Sequence, residues 1–143
     1  MTLLDRFLPI LISSSEADIR SDVTLGGKLL ISNSENVTIN YAPFEHIQHG
    51  AKVVIVGITP GEQQARNALL EARRQLIAGA SQAMALSKAK VFASFSGPMR
   101  ANLVAMLDHV GLHRWSVWAA WQNCGVVEAN SFISRARFDI QCL

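Results

Sequence analysis

Five consecutive residues, Gly57, Ile58, Thr59, Pro60 and Gly61, stand where a β-branched run, "KVVIV", ends and a helical pattern begins. Two glycines, a proline and a hydroxyl at such a junction can do one kind of chemistry. The amides that open a helix at the carboxyl end of a buried strand point toward a ligand edge, and glycine lets a phosphate or other anion come close to them. The same residues also make a plain helix start. Thr59 suits an N-cap, Pro60 the first helical position, and Glu62, three residues after Thr59, the acid of a capping box. Spacing alone weighs the two readings about evenly. The stretch is neither Walker A, since no Gly-Lys-Ser/Thr follows, nor GxGxxG.

A second cluster lies further along, in "FSGPMRANLVAMLDHVGL". Phe95, Ser96 and Gly97 precede a proline-opened helix that carries Arg100 in its first turn; Asn102 reads as an ordinary polar helix position. Phe95 is either a ring for stacking or a core aromatic, and Arg100 either a phosphate contact or a solvated residue. His46, His49, His109 and His113 have no metal spacing. Cys124 and Cys142 form neither a CxxC nor a Cys/His pattern, so no zinc site, disulfide framework or cofactor is expected, and a reducing cytoplasm fits.

The elements that must hold these residues can be read from periodicity. The chain has 143 residues, half of them hydrophobic, with a formal net charge of +2. That is one domain's length, and its charge neither demands nor excludes nucleic acid. The N-terminal "LLDRFLPILI" is interrupted by Asp5 and Arg6, and its face of Leu3, Leu4, Phe7, Leu8 and Leu11 predicts a helix rather than a leader or membrane span. A Ser-rich connection over 13–22 leads to a predicted strand pair around Asn33-Ser34-Glu35-Asn36. Asn36-Val37-Thr38 matches a glycosylation acceptor but reads better as a turn entering a strand.

The unalternating "KVVIVGI" predicts a strand covered on both faces, with its helix capped by Thr59 and starting at or just after Pro60. That helix, over 62–78, carries an inward stripe of Ala65, Ala68, Leu69, Ala72 and Leu76 and stops at Gly79. "KAKVFASF" reads as a second strand or extended segment, and a last helix runs from Pro98 to Gly111 with Met99, Leu103, Met106, Leu107 and Val110 on one face. Strand, helix, strand, helix predicts an α/β protein, a three-layer sandwich with a central, mainly parallel sheet.

"VGITPG" after a buried strand resembles the first motif of the uracil-DNA glycosylase superfamily, whose branches carry Gly-x-Asn-Pro-Gly or Gly-Glu-Ala-Pro-Gly there. Residues 95–112 resemble the Phe-x-Gly and Leu-rich helix ending in Gly-Leu that follows it, and "YAPFEHI" suits a bacterial glycosylase-like subgroup. The similarity spans roughly residues 38–115. It implies a DNA-binding, metal-free enzyme that extrudes a base, stacks it on an aromatic ring and hydrolyses its N-glycosidic bond with a positioned water. Carried over by motif position, Thr59 is the catalytic residue of a water and phosphate loop that includes Gly57, Ile58, Pro60 and Gly61. Phe95 is then the stacking ring, and Ser96, Gly97 and Arg100 border the substrate pocket.

Two departures point away from activity in this chain. Thr59 replaces the Asn or acid that orients water, and a hydroxyl is a poor general base. Nothing after residue 115 resembles the family's His/Asn-Pro-Ser-type motif. Residues 1–115 therefore read as the N-terminal part of a glycosylase-like domain, incomplete at its C-terminus. Residues 116–143 read as an atypical tail without periodicity, mobile or irregular in structure. A neighbouring reading frame over 129–143 can be written that spells a strand and loop of the expected kind, so an out-of-frame tail is expected. The alternative is a non-catalytic α/β module that binds a nucleotide or nucleic-acid phosphate at the Gly57 to Gly61 loop, and the floor is an interaction protein with only a capped helix there.

Overall fold

The computed structural model describes residues 2–49, 53–111 and 138–142. Helix α1 (Leu3–Ser13) is started by a capping box in which Thr2 and Asp5 satisfy each other's backbone amides. Its predicted face is the one that packs. Leu4, Phe7 and Leu11 are fully buried and Leu8 partly so, while Leu3 stays on the surface. The stretch expected to be a connection instead contains a short helix, α2 (Glu16–Ser21), because Ser15 and Asp18 form a second capping box and Ile19 gives it a buried anchor. The hairpin forms as predicted. Strand β1 (Leu30–Asn33) pairs antiparallel with β2 (Thr38–Asn40), with Asn33 opposite Thr38 and an irregularity between Leu30 and Ser32.

Strand β3 (Val53–Gly57) follows, then α3 (Glu62–Ile77), α4 (Gln82–Ala93) and α5 (Pro98–His109). The inward stripe of α3 is as read, with Ala65, Ala68, Leu69 and Ala72 buried. Segment 88–93 is helical, correcting the expected strand. Val91 and Phe92 have β propensity, but they lie within a helix already started by the Ser81 N-cap, whose Ala85, Leu86, Ala89 and Ala93 recur at helical spacing and are buried. Val91 and Phe92 are left exposed. Alanines on both helices allow the α3 and α4 backbones to approach closely, and this is the most extensive helix pairing among the described residues.

The chain is thus α/β in the broad sense, and its described residues do not form a three-layer parallel-sheet sandwich. They contain two separate two-stranded sheets. The second pairs β3 in parallel with β4 (Phe138–Cys142), Val53 opposite Phe138 through Gly57 opposite Cys142. The tail was expected to be irregular, so this strand corrects that expectation for residues 138–142; the expectations for 116–137 lie outside the described residues. Parallel placement of β3 agrees with its unalternating sequence.

One core joins the pieces. Phe7 stacks on Tyr41 with ring centroids 4.7 Å apart, and Leu29, Leu69, Leu86 and Ala89 close around them. Glu45 sits at its margin, accepting a 3.0 Å hydrogen bond from the Leu4 amide in the first turn of α1. Burial raises the Glu45 carboxyl above its ordinary range, outweighing that amide, and burial likewise drives the Tyr41 phenol upward.

Two outcomes are expected. Leu69→Ala empties fully buried volume beneath α4 and should cost about 2–5 kcal/mol in urea denaturation. Because the folded-state pKa of Glu45 is raised, its favourable contribution is complete below the unfolded glutamate pKa and is lost as pH rises through the folded value. Glu45→Gln removes that loss, so its Tm relative to the parent should be more favourable at pH 7 than at pH 4; an equal difference at both would contradict this.

Candidate functional site

The predicted loop and the predicted aromatic cluster meet. Helices α3 and α4 run as an antiparallel hairpin joined by the short segment 78–81, which brings the start of α3 beside the end of α4. Between them lies a cleft of about 420 Å³ lined by Thr59, Gly61, Glu62, Gln63 and Gln64 on one side and by Ser94, Phe95, Ser96 and Met99 on the other, with Phe44 completing the wall.

The α3 start differs from the expectation in one instructive detail. Gly61, not Thr59, is the N-cap, and the reciprocal acid is replaced by Gln64, whose Oε1 accepts the Gly61 amide at 3.1 Å. Glu62 becomes the first helical residue and pairs with Arg66 one turn on. Pro60 is therefore outside the helix. Ile58 is 87% exposed, and Thr59 is exposed at the cleft. A Cβ built on Gly61 would meet nothing within 4 Å, so this glycine leaves open space in front of the first turn of α3. Gly57, the end of β3, precedes the loop.

The far wall is fixed by unusual backbone geometry. Phe95 has φ +51°, a left-handed conformation rare for an aromatic residue, and Gly97 follows with φ +79° and ψ −153°, a region open in practice only to glycine. Together they turn the chain sharply out of α4 and into α5. Half-buried Phe95 is held in the cleft wall by that turn. Ser96 accepts a 2.9 Å hydrogen bond from the Asn67 side chain of α3, tying the two walls together, and Gln64 reaches the Met99 sulfur at 3.4 Å.

Arg100 is not among the lining residues. Its guanidinium donates to the carbonyls of Val91, Phe92 and Ser94 at 2.8–3.1 Å, satisfying acceptors at the C-terminus of α4. The structure gives it a capping role across the turn.

Of the sequence-predicted residues, Thr59, Gly61, Phe95 and Ser96 line one cleft, Gly57, Ile58, Pro60 and Gly97 shape its two loops, and Arg100 braces it. Sequence reading missed Phe44, Gln63, Gln64, Asn67 and Ser94. Phe44 lay in the quoted "YAPFEHI" stretch, but nothing local says that a residue before β3 reaches a cleft formed after it. Among the described residues no three or more His, Cys, Asp or Glu converge on a metal position, and no helix is long and apolar enough to cross a membrane. The described cleft presents hydroxyls, carboxamides, the Glu62 carboxylate, backbone amides at the positive end of α3, and two aromatic rings.

The chain is similar to the uncharacterized protein YoxB of Bacillus subtilis (strain 168), 36% identical over 107 residues. The match takes in 74% of this chain but 39% of that protein, so the chain spans about two fifths of the length of the curated relative it matches. No family model and no solved structure matches the chain.

Arg100→Ala should lower unfolding stability by about 1 kcal/mol in chemical denaturation, by freeing three helix-end carbonyls. An unchanged midpoint would show that the guanidinium does not brace the turn.

Proposed function

We propose that this chain is part of a uracil-DNA glycosylase-like α/β protein, with the cleft between α3 and α4 receiving a base extruded from DNA. The observation that carries this reading is convergence. Two motifs far apart in sequence supply the loop residues Thr59 and Gly61 and the ring of Phe95 to the same 420 Å³ space. In this reading Phe95 stacks on the base, the opening amides of α3 face its phosphate or carbonyl oxygens, and Thr59 holds water near the sugar carbon. Support for a free Thr59 comes from the cap: because Gly61 and Gln64 start α3, the Thr59 hydroxyl is not used there.

The proposed whole enzyme hydrolyses the N-glycosidic bond; the chain in hand, with Thr59 in place of an Asn or acid and no second motif, binds DNA without releasing a base. The three-layer parallel sandwich belongs to that whole protein, with β3 at its centre. Electrostatics set the expected strength. Among the described residues the lining contains no Lys or Arg, and Arg66 is paired with Glu62, so phosphate recognition rests mainly on amides. Binding should then be weak and only modestly salt-dependent, with a slope of about −1 to −2 in log K against log[salt].

Titration of labelled single- and double-stranded oligonucleotides at two salt concentrations tests this. Gly61→Val fills the open space before α3 without backbone strain and should lower affinity about tenfold while leaving the fold intact. No binding at low salt by folded protein would leave only the capped-helix reading, and binding insensitive to Gly61→Val would move the phosphate site away from this loop.

A further inference from the structure

The intrahelical ion pairs differ in which partner the fold holds. In the pair of Glu71 with Arg74 the carboxylate is buried and the guanidinium lies in solvent, and in the pair of Glu16 with Arg20 both side chains are exposed. Glu62 and Arg66 reverse the first arrangement. The Glu62 side chain is 70% exposed and lines the cleft, whereas that of Arg66 is 26% exposed, its Nε is buried, and its terminal nitrogen reaches the Glu62 carboxylate. The arginine is the held member, and the glutamate is the one able to turn away.

Position gives this asymmetry a meaning. Glu62 is the first residue of α3, so its carboxylate stands at the positive end of that helix, where an incoming phosphate would be drawn. It repels such a phosphate and also occupies a cation that would attract one. The pair itself is weak, because an exposed contact one turn apart is screened by water and opposed by side-chain entropy. A phosphodiester brings the same charge in a group whose oxygens match a guanidinium, and the displaced carboxylate returns to the solvent that already covers most of it.

We infer that the Glu62–Arg66 pair is an exchangeable anion site, in which a backbone phosphate of the bound strand displaces the Glu62 carboxylate from Arg66. The inference rests on the DNA-binding reading of the same cleft and adds a cation contact to the α3 amides. It has a consequence that a merely structural ion pair would not show. Removing the acid strengthens binding, and it does so only while the arginine is present.

The full 143-residue chain is compared with Glu62→Gln, Arg66→Gln, Arg66→Lys and the variant carrying both glutamines. A labelled single-stranded oligonucleotide is titrated at two salt concentrations, with thermal unfolding as the check that each protein is folded. Glu62→Gln should tighten binding about fivefold, and Arg66→Gln should weaken it about fivefold. The slope of log K against log[salt] should become shallower by about 0.7 in Arg66→Gln, the share of one single-strand phosphate, and stay unchanged in Arg66→Lys. In the double variant the gain from Glu62→Gln should fall below about twofold, since no guanidinium is left to release. A full gain without Arg66 would show simple repulsion by Glu62, and an unchanged slope in Arg66→Gln would show an arginine that only supports the helix; either overturns the inference. If the oligonucleotide binds and Gly61→Val weakens it while Glu62→Gln does not tighten it, the exchange fails and the DNA-binding reading stands. No binding at low salt by any of the folded proteins removes both together.

Discussion

The close approach of α3 and α4 is the constraint on which the rest of the molecule depends. Alanine at 65, 68 and 72 on one helix and at 85, 89 and 93 on the other leaves little side-chain bulk between two backbones. That fit sets the cleft, because an antiparallel pair places the first turn of one helix against the last turn of the other. A bulkier residue at any of these positions would push the hairpin apart and overpack the core. The cleft would widen at the same time, since its walls are extensions of the two helices and are tied by the Asn67 to Ser96 hydrogen bond.

Local signals made much of this legible. The α1 face, the hairpin turn, the α3 stripe and the Pro98 to Gly111 helix each obey a rule that operates within a few residues, and each forms as read. The failures share a cause. Taken from Lys88 onward, segment 88–95 shows Val91, Phe92 and Phe95 and suggests a strand, although the helix that takes in residues 88–93 is capped by Ser81 and buries its alanines. The Thr59 cap failed because two cap signals competed, and the Gln64 carboxamide on the Gly61 amide shifted the start by two residues. The placement of β4 beside β3 depends on a pairing across most of the chain, which no local pattern encodes.

The candidate site divides in the same way. Gly61 and Phe95 were legible because glycine near a helix start and an aromatic before Ser-Gly-Pro carry local meaning. Ser94 and Phe44 were not, since each becomes a wall residue through the tertiary fold. Arg100 shows the opposite error: a cation in the first turn beside a candidate loop suggested an anion contact, but three carbonyls at the end of the preceding helix claimed it first. On α5 the expected apolar stripe exists in sequence, yet Met106 is 66% exposed and Val110 73%, so periodicity marked the face without determining whether it is covered among the described residues.

Phe44 and Glu45 are neighbours with different duties, one forming a cleft wall and the other holding the Leu4 amide at the start of α1. One rigid peptide plane joins the two residues, so the Phe44 and Glu45 side chains are anchored at opposite ends of the same unit. A ligand that displaced the Phe44 backbone would act one peptide bond from the carboxyl that holds the Leu4 amide. Such a displacement would reach the local opening of the first turn of α1, where amide hydrogen exchange at Leu4 would register it.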